Sequence, residues 1–245
     1  MATTVVLAGL GTGGWHLYRQ SLLPSPPPDV AFPPAVGFVV QLCLRENIGC
    51  RAGTIEQTAD VVRGVPEVTS SRVVPHEEIM AQISEISLTG EDPTENGQGA
   101  WPPQIEGEFH RTEDFEAVRR RLTGEPGVAG VYRRAGNFWK GRADLRVDLC
   151  GSTSAFTTCR NGARTDAQRD AVVAWLREQR GVEKVFFQDR PFGLRLIKHY
   201  QPELYLTIND VSEKLYVRLD DPADARVVGR MALGMPGVES ANLIK

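Results

Sequence analysis

The chain is short of the groups from which metal sites and catalytic dyads are built. It holds four histidines and four cysteines, and the histidines, His16, His76, His110 and His199, stand far apart. No Cys-x-x-Cys occurs, no histidine stands beside a cysteine, and neither G-x-S-x-G nor H-E-x-x-H is present, so zinc sites and the common hydrolase centres have no signature here. An excess of positive charge is missing as well: the formal net charge is −3, whereas a nucleic-acid footprint needs a basic patch or stripe. Acids gather at predicted helix starts, where the helix dipole explains them. The pair Asp220 and Asp221 reads as turn chemistry. These absences point to a protein that is not an enzyme, uses no cofactor and binds no nucleic acid.

What cysteine there is falls in two close pairs. Cys43 with Cys50, and Cys150 with Cys159, fit disulfides in an oxidising compartment better than a metal site. They sit in two similar stretches, FVVQLCLRENIGC at 38–50 and LRVDLCGSTSAFTTC at 145–159. Each stretch alternates large apolar with smaller or polar residues, ends in Leu-Cys, crosses a polar loop and meets a second cysteine. An amphipathic stretch, a valine-rich run, an irregular insert, another alternating run, a second amphipathic stretch and Pro-Gly-Val follow each time, the tripeptides at 126–128 and 236–238. Two copies of one small domain account for this pattern, and 245 residues leave room for two modest cores.

Residues 3–18, TTVVLAGLGTGGWHLY, are apolar and uncharged, and Arg19 closes the run. The run is longer than most signal-peptide cores and a little short of the roughly 20 residues that span a bilayer. Residues 1–23 are therefore expected to form a membrane anchor, with a signal-like segment as the other reading. Gly9, Gly11 and Gly14 also spell G-x-G-x-x-G, a phosphate-cradling pattern. Pro24, Pro26, Pro27 and Pro28 cut short the helix that a dinucleotide fold requires, and Asp29, at the distance of a ribose-binding acid, ends no predicted strand. Nucleotide binding at this turn is the alternative to an interaction module. Residues 24–35 are expected to form a stiff, extended spacer, because proline fixes φ and removes the amide donor.

Periodicity and capping signals predict the remaining elements. In the first half these are a strand at 38–43, a helix at 54–63 capped by Thr54, a strand at 68–74, an insert at 75–103, a strand at 105–110, a helix at 113–122 and a strand at 128–132. A linker at 133–142 carries Phe138 and Trp139, expected to pack against one of the domains. The second half predicts a strand at 145–150 and a helix at 166–178, capped by Thr165 and burying Ala167, Ala171, Val172 and Leu176. A strand at 182–187, an insert at 189–209, a strand at 215–219, a helix at 223–233 and a strand at 238–244 follow. The expected class is α+β: two tandem ferredoxin-like βαββαβ domains, at 36–133 and 143–245, each an antiparallel sheet with two helices on one face and a helical lobe inserted between its βαβ halves.

The second half resembles the extracytoplasmic domain of FtsX, the permease-like cell-division membrane protein of bacteria, in its actinobacterial form. The resemblance lies in DLCGSTSAFTTC at 148–159, TDAQRDAVVAWLREQRGVEKVFF at 165–187 and LYVRLDDPADARVVGRMALGMPGVESA at 215–241. The first half matches through VQLC at 40–43, Cys50, PEV at 66–68, VPHEEIM at 74–80 and FEAVRRRLTGEPGV at 115–128. The resemblance implies a module outside the cell membrane without chemistry of its own; the two copies and a single membrane pass are read from the residues, whereas that family has four membrane helices. In that family the inserted lobe docks a peptidoglycan hydrolase, and movements of a cytoplasmic ATPase are relayed to activate it. The matching positions are the two inserts. Ile79, Met80, Ile83 and Ile86 fall on one helical stripe in the first; Leu196, Ile197 and Tyr200 do so in the second, with Phe192, Leu204 and Tyr205 nearby. A short lobe has little core of its own, so part of such a stripe tends to stay exposed and to bind. Closure of the lobe onto its own sheet is an equal reading for any one of these side chains.

Non-reducing peptide mapping is expected to find Cys43 joined to Cys50 and Cys150 joined to Cys159. Alkylation of all four thiols without prior reduction would place the protein in a reducing compartment instead.

Overall fold

A computed structural model describes residues 23–35, 37–45, 50–89, 102–134, 136–152, 154, 156–202 and 204–245. The anchor-like run, its glycine motif and residues 90–101 of the first insert lie outside the described residues. The chain is a mixed α+β protein with two four-stranded antiparallel sheets. It divides into two compact units.

The first unit comprises Val30–Phe138 and Leu194–Leu206. Its elements are β1 (Gly37–Leu42), α1 (Ile55–Arg63), β2 (Val68–Val74), α2 (His76–Ile86), β3 (Gln104–Phe109), α3 (Phe115–Leu122) and β4 (Val128–Arg134). The sheet order is β2-β3-β1-β4, with every pairing antiparallel. Alternation along β1 sends Phe38, Val40 and Leu42 into a core shared with Ala59 and Val62 of α1, Ile105 and Phe109 of β3, and Phe115, Val118 and Leu122 of α3. Phe115 and Leu122 are fully buried, each contributing about 1.5 to 3 kcal/mol of apolar burial. Gly107 leaves room on β3 for the Phe38 ring, which an added Cβ would strike.

The second unit takes the described residues up to Asp29, with Trp139–Gly193 and Thr207–Lys245. It holds β5 (Leu145–Leu149), α4 (Asp166–Glu178), β6 (Val182–Gln188), α5 (Arg190–Tyr200), β7 (Lys214–Leu219), α6 (Ala225–Ala232) and β8 (Val238–Leu243), although α5 from Leu194 onward groups with the first unit. The order β6-β7-β5-β8 repeats that of the first sheet. Leu145, Val147 and Leu149 of β5, Val172, Val173 and Leu176 of α4, and Ala225, Val228 and Ala232 of α6 are buried. Ala167 and Ala171, expected in this core, are exposed; the buried stripe of α4 is centred instead on the bulkier Val172, Val173 and Leu176.

Both first helices open with a T-x-x-Q capping box. Gln57 N–H donates to Thr54 Oγ1 (3.2 Å) and Thr54 N–H to Gln57 Oε1 (3.4 Å); Gln168 N–H donates to Thr165 Oγ1 (3.2 Å) and Thr165 N–H to Gln168 Oε1 (2.8 Å). Two otherwise orphaned donors are satisfied at each start. The later helices, expected to start at 113 and 223, begin with one 3-10 turn each, Thr112–Asp114 and Pro222–Asp224. Proline suits the latter because its missing N–H has no intrahelical partner there.

The cysteine pairs and the Pro-Gly-Val tripeptides meet in space. Disulfides join Cys43 to Cys50 and Cys150 to Cys159, with Cα atoms 6.3 and 5.5 Å apart. Cys43 N–H donates to Gly127 O and Cys150 N–H to Gly237 O, both at 2.9 Å. Gly127 and Gly237 have φ of +85° and +87°, in the region that L side chains disfavour.

The proline-rich stretch makes specific contacts at Ser25 and Phe32. Ser25 forms a parallel bridge to Phe186 on the edge of β6. Phe32 packs edge-on against Phe138, 5.3 Å between centroids, and lies 5.2 Å from the His199 ring. In the linker, Phe138 is buried in the first unit and Trp139 in the second.

Gly127→Ala should lower stability by about 2 kcal/mol or more, since it combines positive φ with a Cβ driven into Thr58. Gly124→Ala, with φ of +88° but open space, should lose only the backbone part, about 1 kcal/mol. Urea unfolding of the two variants checks the difference.

Candidate interaction surface

Each unit passes from its second strand directly into a helix, and these two helices carry all the residues singled out for partner binding except Leu204, which follows the second. In α2, Ile79 N–H donates to Pro75 O (3.1 Å), and Glu77 and Glu78 occupy the first turn, where the helix dipole favours them. Glu78 accepts from Arg72 (2.6 Å) and Gln82 (3.0 Å). Ile79 is buried, while Met80, Ile83 and Ile86 are half-buried. In α5, Asp189 Oδ1 accepts the Phe192 N–H (2.8 Å) and acts as a start signal. The helix carries Arg190, Arg195 and Lys198 and no acid.

Phe192 and Tyr200 are buried, at 8% and 3% exposure. Phe192 lies 6.4 Å from Trp139, and Tyr200 packs where a Cβ on Gly136 would come within 2.9 Å of its ring. Leu196, Ile197 and Leu204 are half-buried. The nine residues therefore divide: Ile79, Phe192 and Tyr200 are buried, and the remaining six keep apolar surface in reach of solvent. Tyr205 is fully exposed and Ile208 is 44% exposed. Leu196, Ile197, Tyr200 and Leu204 group with the first unit, Phe192 with the second, a division that helical spacing could not foretell.

The sheet faces turned away from the core helices carry charge. On the first sheet Arg72 meets Glu106 (3.0 Å), and Arg134 meets Glu106 (3.5 Å) and Glu108 (3.3 Å). These groups line a hollow of about 200 Å³. Exposed pairs of this kind contribute little individually, about 0 to 1 kcal/mol.

On the second sheet Asp148 is buried. It is bonded by Lys214, and its Oδ2 accepts from Arg146 Nε (3.0 Å), Ser240 Oγ (2.8 Å) and Asn242 Nδ2 (3.1 Å). Burial pushes this carboxyl up, but the charges of Lys214 and Arg146 and the bonds from Lys214 and Ser240 outweigh it and hold the pKa below the ordinary value. Burial, followed by the Asp148 charge, pushes Glu239 the other way. Trp139 stacks on Tyr216 with centroids 3.9 Å apart and donates its Nε1–H to Gln188 Oε1 (3.0 Å). Period-two alternation in LRVDL was the available signal for Asp148, since it puts the acid opposite the leucines.

Among the described residues no three of His, Cys, Asp and Glu converge as a metal site, and no helix is long and apolar enough to cross a membrane. Asp29 is exposed and belongs to no strand.

No family model matches the chain. No curated protein matches it either. The chain is similar to a solved structure, extracellular domain 1 of FtsX from S. pneumoniae in complex with undecyl-maltoside. Identity is 16% and the TM-score 0.31, over 42% of this chain and 98% of that one.

Asp148→Asn should cost about 3 kcal/mol, because it leaves Lys214 and Arg146 without their counter-charge. A carboxyl with a depressed folded pKa stabilises above its unfolded pKa and loses that contribution as pH falls through the folded one. Wild-type stability should therefore decline on acidification through and below the ordinary carboxylate range, Glu239 opposing in part. The Asn variant should lack the Asp148 share of that decline in urea titrations between about pH 7 and 3.

Proposed function

We propose that the chain is a non-catalytic interaction module working outside the cytoplasm, built as two FtsX-like extracytoplasmic domains of ferredoxin-like topology. It docks and regulates a cell-wall hydrolase in division or wall remodelling. The observation that carries this reading is the pair of helices, α2 and α5, inserted at the same place in two units of identical strand order, each presenting half-buried apolar side chains. Apolar surface beside a charged rim is what protein partners use. Two disulfides at corresponding loops support an oxidising compartment, and the sequence motifs shared with FtsX support the class of partner. The N-terminal run is the proposed membrane anchor.

The docking residues in this proposal are Met80, Ile83 and Ile86 on α2 and Leu196, Ile197 and Leu204 on and after α5, with Ile79, Phe192 and Tyr200 buried. Leu196→Ser with Ile197→Ser should weaken binding of a purified peptidoglycan hydrolase at least about tenfold, the loss of roughly 1.4 kcal/mol, while the circular dichroism spectrum is retained. Biolayer interferometry against the hydrolases of the source organism tests this: binding by none of them, or unchanged binding by the double variant, rejects the reading.

A further inference from the structure

Strands β2 and β6 terminate their sheets in the same way. Each pairs antiparallel with one neighbour only, and the register slips at the same point, between Val68 and Ser70 and between Val182 and Lys184. Counting from that slip sets Ser71 on Val185 and Val73 on Phe187. Their partners correspond too: Ser71 faces Gly107 and Val73 faces Ile105, as Val185 faces Val217 and Phe187 faces Leu215.

The outer edge of β6 is in use. Ser25 N–H donates to Val185 O (2.9 Å), and Phe187 N–H donates to Ser25 O (2.8 Å), a parallel bridge. Ser25 stands between Pro24 and Pro26, which have no N–H to continue the pairing. On β2 the corresponding groups are Ser71 O and Val73 N–H. Among the described residues no backbone group is bonded to either on the outer side. Thr69, Ser70 and Val73 are exposed; Val68–Val74 contains no proline, and its one charge, Arg72, is engaged by Glu78 and Glu106. An edge left this way is a template for another strand.

We propose that β2 is a strand-addition site for an extended, proline-flanked segment of a partner protein, bound parallel through Ser71 O and Val73 N–H. The filled edge on β6 identifies the chemistry of the occupant: one small residue that both donates and accepts, between two prolines that hold it extended beforehand. Such a segment is already near its bound conformation and has little entropy to lose. The filled edge also shows what β2 lacks. Arg177, in the last turn of α4, donates to Leu23 O. The corresponding α1 has 9 residues against 13 in α4, and its terminal Arg63 is held by Asp60 and by Ala59 O. A segment on β2 is therefore held by main-chain bonds without that clamp, which makes it exchangeable where Ser25 is built in.

The test titrates the isotopically labelled full-length chain with a synthetic peptide of residues 23–29, LPSPPPD, and follows backbone amide shifts. Saturable shifts centred on Ser71 to Val73 are expected, with half-saturation on the order of 10 mM, as two main-chain bonds alone allow. Val73→Pro should abolish them with the fold retained, since the Val73 N–H points away from β3. As a check that leaves the protein untouched, the peptide N-methylated at its serine should also fail, having lost the donor to Ser71 O. Shifts absent from Ser71 to Val73, confined to Val185 to Phe187, or equal with the N-methylated peptide would overturn the proposal. Concentration-dependent self-association that Val73→Pro removes, without peptide binding, would assign the edge to a second copy of the chain and overturn it as well.

Discussion

In each unit the strand that comes first in sequence must lie in the middle of its sheet, between two strands made much later. β1 pairs with β3 on one side and β4 on the other, and β5 with β7 and β8. Everything else serves that long-range closure, whose chain-entropy cost falls due before the contacts that repay it. The bond from Cys43 N–H to Gly127 O, and its counterpart from Cys150 to Gly237, ties the end of the central strand to the turn that delivers the last strand. Glycine with positive φ is needed at that turn. The disulfides restrict the loop alongside, worth about 2 to 3 kcal/mol each in the entropic account. They hold a corner in place and are not the source of the fold's stability.

Central strands that alternate strictly must expose a second face, and the two units treat it differently. Arg72, Glu106, Arg134 and Glu108 form a solvated ladder on the first sheet. On the second, Asp148 is buried under a full set of donors and Trp139 lies flat on Tyr216. The covered face is the less tolerant of change, because a buried charge that loses a partner has no water to replace it. The proposed interaction surfaces are what remains open: the inserted helices and the β2 edge.

Short-range chemistry was readable from the chain. Thr54 and Thr165 cap their helices, the cysteine pairs close their loops, and the bounds of Val68–Val74 and Asp166–Glu178 follow from periodicity. Each of these depends on residues only a few positions apart, so a local pattern contains the whole interaction. The candidate surface was readable only as a stripe. Helical spacing grouped Leu196, Ile197 and Tyr200, yet Tyr200 is buried beside Gly136 while its two companions keep some exposure, and no count along α5 carries the position of Gly136.

The same division runs through the whole molecule. Element order, caps, loop closures and the repeated Pro-Gly-Val turn were set by the order of residues, since backbone propensity and side-chain period act within a turn or two. Which strand receives Ser25, which face of the second sheet takes Trp139, and how Asp148 is neutralised were settled by folding. Those contacts join residues far apart in the chain, and their energies depend on burial and on partners that exist only once the sheets have closed.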